Sequence, residues 1–264
     1  MSKTFKAARI AGKQPEIRLV WPELAKPPNL WANDAHIWAI PFDADVAPRA
    51  ESLECLSEDE RRRAEQFQFE TPRRRFLAAR LALRRLLGEY LEMPAASVSL
   101  AYNRFGKPLL GEPHGDLLRF NLAHTSNLVL VAVTRGCDVG VDIEQLRPVH
   151  HLESIARRYL HPAEAKDILA AALELRHEAF LRCWTAKEAV IKANGSALTD
   201  SLGAFRVPVA DTRGTWIELP ELGDGDSKRC WLEALRPCDG AIGAVAFVGE
   251  QRRVSCYTLK GDNR

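Results

Sequence analysis

A weak internal repeat constrains the fold of this chain more than any other feature of its sequence. The segment Cys55–Glu60 (CLSEDE) resembles Tyr159–Glu164 (YLHPAE) at an offset of 104 residues, from position 55 to position 159. The same offset aligns Phe76-Leu77 with Phe180-Leu181, and each pair lies in a long stretch with the apolar spacing of a helix. Two landmarks in one register predict two similar α/β halves joined near residue 138.

The predicted halves span residues 1–138 and 139–264, and residues 1–30 are expected to form mainly an extended tail. The repeat also lays a predicted strand at Ala35–Phe42 onto the segment that begins at Val139. A fold of the α/β (α+β) class follows, in which two related units lie side by side. Because one chain supplies both units, we expect a monomer.

Only the second copy of the repeat carries a cluster of acids. Under the offset, the positions that correspond to Asp142, Glu144 and Glu188 hold no carboxylate in the first copy; they are Trp38, Ile40 and Arg84. The sequence therefore predicts one active site between the halves, with acids from the second half and basic groups from the first.

Composition excludes several classes of protein. Of the 264 residues, 46 % are hydrophobic and 27 % are charged, as in a soluble globular protein, and the net charge is only +2. With 8 % aromatic residues and this near-neutral charge, nucleic-acid binding is disfavoured. The longest apolar runs, Leu128–Val133 and Ala241–Val248, have the length of strands and are too short to span a membrane.

The cysteines and the N-terminal residues indicate where the protein is found. The six cysteines are scattered and form no CxxC pair, so a reduced, cytoplasmic protein is expected, without a zinc site or a disulfide framework. The start, MSKTFKAARIAGK, is basic but lacks the apolar region of a secretory signal.

An arginine-rich stretch covers residues 61–85, where nine arginines stand against two acids, Glu65 and Glu70. Such an excess predicts an anionic partner, either phosphates or an acidic protein. The alternative is a solvated helix face whose arginine stems cover apolar surface. The sequence leaves both interpretations open.

The acids of the second half have the spacing of a metal site. In VGVDIEQ, Asp142 and Glu144 are two apart on a predicted strand and share one face. In the predicted helix FLRCWTAKEAVIKANG, Glu188 and Lys192 are four apart and also share a face, with Lys187 beside them. Three carboxylates form an oxygen-rich site that suits Mg²⁺. The alternatives are a solvated strand face and a surface Glu–Lys pair worth about 0.2–0.5 kcal/mol.

Two further motifs have the character of phosphate sites. His124 lies in FNLAHTSN beside Thr125 and other small polar residues at a predicted strand end, which is typical of a phosphate or ribose cradle. Lys107 lies in a Gly-Lys-Pro turn, which places a cation on a rigid loop. Each residue could equally have a structural role.

FNLAHTSN, VGVDIEQLRP and FLRCWTAKEAVIKANG, in this order, resemble the three signature blocks of the Sfp-type 4′-phosphopantetheinyl transferases. The Gly-Lys-Pro turn and the helix RRRFLAAR match the family as well. The resemblance covers about residues 61–195, together with a strand at Cys256–Leu259. It implies a pseudo-dimeric fold of two similar halves with the active site at their interface.

The resemblance also implies site roles. Asp142, Glu144 and Glu188 would bind Mg²⁺, with Mn²⁺ as an alternative, and Glu188 would be the third ligand or the catalytic base. Lys192 would assist catalysis. Coenzyme A would lie between the halves, and its contacts would include Arg75 or Arg74, Lys107, His124, Thr125, Asp142, Lys187 and Lys192. Ala123 stands where many members carry Ser, which removes one hydroxyl contact worth about 1 kcal/mol.

The activity implied is transfer of 4′-phosphopantetheine from coenzyme A to a serine of an apo acyl or peptidyl carrier protein. The other product is adenosine 3′,5′-bisphosphate. Two alternatives come from the residues alone: a Mg²⁺-dependent phosphohydrolase acting on a nucleotide-like ligand, and a non-enzymatic module that binds an anionic partner. The sequence does not decide which carrier protein or pathway is served.

Overall fold

The computed structural model describes residues 20–43, 45–115, 117–195, 202–210, 214–220 and 229–260. In chain order the elements are β1 (Glu23–Leu24), β2 (Asp34–Pro41), α1 (Ala50–Leu53), α2 (Glu58–Glu65), α3 (Glu70–Leu91), β3 (Leu100–Tyr102), β4 (Pro108–Leu110), β5 (Arg119–His124), β6 (Leu128–Thr134), β7 (Val139–Gln145), α4 (Leu152–Tyr159), α5 (Pro162–Ala170), α6 (Arg176–Ala193), β8 (Thr215–Glu218), β9 (Arg229–Leu235), β10 (Ala241–Val248) and β11 (Arg253–Leu259). Short 3₁₀ turns lie at Ala95–Ser97 and Leu173–Leu175.

The described strands form two larger sheets, in the orders β1-β11-β2-β6-β5 and β7-β10-β9-β8, and β3 pairs with β4. Strand β11 lies parallel to β1 and β2, whereas the other neighbours are antiparallel. The last strand among the described residues therefore returns to the sheet of the first half. The division at residue 138 stays a prediction, with β11 as a segment that crosses it.

The two sheets pack against each other and a long helix covers each outer face. Side chains of β6 alternate between two hydrophobic cores, one between the sheets and one beneath α3. Leu130 packs in the core between the sheets, and Val129 and Val131 pack beneath α3. In β7, Val141 belongs to the core between the sheets. Helix α6 packs on the outer face of β7 and β10. This order of layers, helix, sheet, sheet, helix, confirms the α/β fold of two similar halves.

The internal repeat is visible in how the helices begin. Ser57 caps α2 through a capping box with Glu60, and His161 caps α5 through the same arrangement with Glu164. Both glutamates are buried, and each pairs with a cation of the long helix that follows. Nε of Arg84 lies 2.6 Å from a carboxylate oxygen of Glu60, and Nζ of Lys187 lies 2.9 Å from a carboxylate oxygen of Glu164.

The predicted N-terminal tail is only partly described. Residues 1–19 lie outside the described part of the chain. Between residues 20 and 30 most residues are exposed, while β1 pairs with β11 and Leu30 is buried. The extended tail stays a prediction.

Candidate active site

Strand β7 and helix α6 position the acids of the second half. Because side chains alternate along β7, Val141 and Ile143 enter the core between the sheets, and Asp142 and Glu144 lie on the opposite face. The ammonium of Lys192 on α6 lies 2.6 Å from Oδ1 of Asp142. The strand and the helix thus meet at an ion pair whose members are 50 residues apart in sequence.

The charges of Glu144 and Glu188 belong to the same cluster. Burial, together with the neighbouring charge of Asp142, raises the pKa of Glu144 to about 7. Burial and Asp142 also raise the pKa of Glu188. The structure therefore brings together the three acids that the sequence predicts, in a place where their mutual repulsion favours binding of a proton or a cation.

Lys192 is the cation at the centre of this cluster. Burial alone would lower its pKa, but the charges of Asp142, Glu188 and Glu144 outweigh burial and raise the pKa above its ordinary value. Lys192 therefore stays protonated at neutral pH. One ammonium among three carboxylates leaves the cluster with an excess of negative charge when the acids are ionised.

The donor set suits a hard divalent cation. Carboxylate oxygens are the ligands that Mg²⁺ accepts, together with water and substrate phosphates. No group of three or more metal-binding side chains converges on one point in the part of the chain that the structure describes, and Asp142 is turned towards Lys192 instead. The chemistry of these residues fits Mg²⁺, and Mg²⁺ dependence remains a proposal.

One basic residue of the first half, His124, lies near Asp142 and Lys192, and a second, Arg75, lies near His124. His124 ends β5, and its pKa is lowered chiefly because the surrounding protein displaces water from the ring; the charges of Lys192 and Arg75 lower it further, and Asp142 opposes them. Arg75 lies on α3, and its buried Nε has no hydrogen-bond partner within the described residues. Burial lowers the pKa of Arg75. The effect of Lys192 and Asp142 on the pKa of His124 is consistent with the predicted site between the halves.

Arg74 and Arg75 differ in what their guanidinium groups already bind. Arg74 lies 3.3 Å from Glu70 and donates to the backbone carbonyl of Asp45 at 2.7 Å. Arg75 keeps an unmet donor, so it is the better candidate for an anionic ligand. Thr125 follows His124 and donates its backbone N–H to the carbonyl of Leu128, which closes the turn between β5 and β6.

Lys187 lies away from the acidic cluster, although it is next to Glu188 in sequence. Its side chain is fully buried, and Nζ donates to the carbonyls of Leu202 and Phe205 at 2.7 and 2.5 Å. Glu164 lies 2.9 Å from the same atom. With these partners Lys187 has a structural role, and the coenzyme A contact predicted for it is not supported.

Lys107 also has other partners than the sequence predicts. Its Nζ donates to the carbonyl of Val139 at 3.1 Å and to the carbonyl of Lys192 at 2.7 Å. Burial lowers the pKa of Lys107. The side chain is therefore engaged with the backbone of β7 and α6, not directed to open solvent.

Sequence reasoning missed two residues beside the acids. Asn121 is buried, and its Oδ1 accepts a hydrogen bond from the N–H of Val141 at 2.9 Å, which fixes β7 directly before Asp142. Gly140 leaves room for the backbone of α6, because an added Cβ would overlap Ala189 and Ala193 and lie 2.8 Å from the carbonyl carbon of Lys192. The sequence does contain a signal for each: Asn121 is a polar residue and Gly140 a glycine within an otherwise apolar strand, which often marks a close backbone contact.

Much of the arginine-rich stretch binds the chain itself. Arg84 is buried and donates to Glu60. Arg80 is buried against the ring of Tyr102, and exposed Arg62 pairs with Asp59 at 2.6 Å. For these arginines the structural interpretation is favoured over an anionic partner.

No helix in the described ranges is both long enough and apolar enough to cross a membrane.

Comparison with known proteins gives matches along most of the chain. The family model for the 4′-phosphopantetheinyl transferase superfamily matches residues 138–246, and the model for the N-terminal part of 4′-phosphopantetheinyl transferases matches residues 46–136. The chain is similar to the 4′-phosphopantetheinyl transferase HetI of a Nostoc species, with 36 % identity over 86 % of this chain and 93 % of that protein. It is also similar to a putative 4′-phosphopantetheinyl transferase of a Synechocystis species, with 32 % identity over 78 % and 82 % of the two chains. The 4′-phosphopantetheinyl transferase Sfp of Bacillus subtilis is 26 % identical over 64 % of this chain and 73 % of its own length.

Proposed function

The chain belongs to the 4′-phosphopantetheinyl transferase superfamily, and we propose that this protein transfers 4′-phosphopantetheine from coenzyme A to a serine of an apo carrier protein. The observation that carries this proposal is the cluster of Asp142, Glu144 and Glu188 around Lys192, opposite His124. Acids that bind a cation and basic groups that bind phosphates are what a pyrophosphate substrate requires. Neither a phosphohydrolase nor a non-enzymatic binding module is supported by the relatives.

The reaction is a displacement at phosphorus. The serine oxygen of the carrier protein forms a bond to the β-phosphorus of coenzyme A, and the bond from that phosphorus to the bridging oxygen breaks. The electron pair leaves with adenosine 3′,5′-bisphosphate, and the serine proton passes to a base. Because a serine hydroxyl is a weak nucleophile, the position of that base matters.

Glu188 is the proposed base. Burial and the charge of Asp142 raise its pKa, which makes it a stronger proton acceptor than an exposed carboxylate while it remains ionised. Lys192, one helical turn away and protonated, would place its positive charge near the leaving bisphosphate.

Mg²⁺, or Mn²⁺ in its place, would be held by Asp142, Glu144 and Glu188, and when bound it would neutralise charge on the pyrophosphate. Arg75, His124 and Thr125 are the proposed contacts of the nucleotide phosphates. Ala123, buried in β5, offers no hydroxyl to them. All six cysteines are free, which supports a reducing compartment such as the cytoplasm.

The test is intact-mass spectrometry of an apo acyl carrier protein incubated with this protein, coenzyme A and Mg²⁺, with a peptidyl carrier protein in parallel. We expect each accepted carrier to gain the mass of one phosphopantetheine, and the gain to disappear with EDTA. Cleavage of coenzyme A without a mass gain on either carrier would contradict the transferase and indicate hydrolysis.

A further inference from the structure

The turn between β3 and β4 reaches from the first half to the end of α6. Its conformation is fixed by Asn103, whose Oδ1 accepts from the backbone N–H groups of Phe105 and Lys107 at 2.9 and 3.0 Å. Gly106 completes the turn with a φ of 80°, which favours glycine. Lys107 therefore leaves the turn from a well-defined position.

Two side chains of this turn bind the C-terminal end of α6. Lys107 donates to the carbonyl of Lys192 at 2.7 Å, and Asn103 donates through Nδ2 to the carbonyl of Gly195 at 3.1 Å. The last carbonyls of a helix lack partners within the helix, and the helix dipole favours a cation there. Lys107 meets both requirements.

The same ammonium also binds β7. Lys107 donates to the carbonyl of Val139 at 3.1 Å, next to Gly140, where the backbones of β7 and α6 come into direct contact. One side chain thus joins the strand that carries Asp142 to the helix that carries Lys192. Both hydrogen bonds are made to backbone atoms, so they fix the two elements relative to each other.

We propose that Lys107 is a positioning residue, which holds the last turn of α6 against β7 so that Lys192 and Asp142 keep their relative placement. In this role it acts through Lys192 and does not bind a phosphate of coenzyme A. The inference rests on the proposed transferase function for its effect on rate, but its effect on α6 can be measured without activity.

The first experiment compares Lys107→Met with the unaltered protein in steady-state transfer and in calorimetric titration with coenzyme A. Loss of positioning lowers kcat by about tenfold or more, while the Kd and the KM for coenzyme A change by less than about threefold. Lys26→Met is the matched control, because Lys26 is 80 % exposed and its side chain pairs only loosely with Glu89 at 3.7 Å; its kcat should be unchanged. A tenfold rise in the Kd of Lys107→Met with unchanged kcat would overturn the proposal, because it indicates a phosphate contact.

Hydrogen exchange tests the same point on the structure itself. In Lys107→Met, backbone amides between residues 190 and 195 should exchange several-fold faster, and in Lys26→Met they should not. Asn103→Asp is a second variant: it keeps the acceptor that forms the turn but removes the donor to Gly195, and it should also speed exchange at these amides. Unchanged exchange in both variants would overturn the proposal. If the unaltered protein transfers nothing, the proposed function fails, and the exchange result still decides the role of Lys107.

Discussion

At the scale of single residues, the partners of each buried charged side chain distinguish the proposed site residues from the structural ones. Lys187 and Glu164 are both fully buried and bind each other and nearby backbone groups. Glu144 and Glu188 are half-buried, and the charge of Asp142 adds to burial in raising the pKa of each. Repulsion of this kind is a cost to folding, which is typical of a binding site.

His36 provides a pH-dependent contribution to stability. It is buried in β2 and its Nδ1 forms a hydrogen bond with the hydroxyl of Tyr90 at 2.7 Å, while Tyr257 packs on its ring. Burial lowers its pKa, Asp34 opposes this, and Arg253 lowers it further. Below a pH of about 6.5 the unfolded chain therefore binds a proton that folded His36 does not, and the free energy of unfolding falls as pH falls.

We predict that His36→Gln loses less stability than the unaltered protein between pH 7.5 and pH 5.5. The measurement is denaturant unfolding at several pH values, with His150→Gln as a control on an exposed loop. Parallel pH profiles for His36→Gln and the unaltered protein would show that His36 titrates normally in the folded state.

Residue patterns allow some of these assignments and not others. Alternation along β7 suffices to put Asp142 and Glu144 on one face, and helical spacing suffices for Glu188 and Lys192. The partners of the long lysine side chains could not be foreseen in the same way. Lys107 binds a carbonyl 85 residues away, and Lys187 binds one 15 residues away, so their direction depends on packing between distant segments.

At the scale of elements, the contact between β7 and α6 sets the geometry of the site. Gly140 permits that contact, because a side chain there would overlap the helix backbone. Neither element can shift without separating Asp142 from Lys192. The acidic cluster is therefore sensitive to the packing of a residue that has no side chain.

We predict that Gly140→Ala destabilises the protein by about 3 kcal/mol through overpacking and lowers kcat in the folded fraction. Gly203→Ala is the matched control, because the nearest atom to an added Cβ there is 3.7 Å away; its free energy of unfolding should stay within about 0.5 kcal/mol of the unaltered protein. Equal effects of the two substitutions, measured by denaturant unfolding, would contradict the close-contact account.

A buried ion pair joins three segments of the second half. Lys187 on α6 binds Glu164 on α5 and the carbonyls of Leu202 and Phe205, and Glu164 accepts from the N–H of Val207 at 2.7 Å. We predict that Lys187→Met costs about 3–5 kcal/mol of stability, because it leaves a buried carboxylate unpaired.

The control for Lys187→Met is the double variant with Glu164→Gln, which removes the unpaired charge and should recover part of the loss. Titration of the folded Lys187→Met protein should show an unchanged affinity for coenzyme A. A large loss of affinity with little loss of stability would restore the predicted coenzyme A contact.

At the scale of the whole molecule, a duplicated unit provides one asymmetric site. The position that holds Glu188 in the second half holds Arg84 in the first, where it pairs with buried Glu60. The repeat in the sequence was sufficient to predict two similar halves. It did not predict that β11 returns to the first sheet, because strand order depends on long-range pairing that no local pattern specifies.

Glu188→Gln tests the central claim most directly, that the acids of the second half carry out transfer. Intact-mass spectrometry of an apo carrier protein should show no phosphopantetheine added by this variant, while calorimetry shows coenzyme A bound nearly as before. Glu178→Gln, on the same helix but paired with Arg182 and Arg236 on the surface, should transfer normally. Normal transfer by Glu188→Gln would contradict the account.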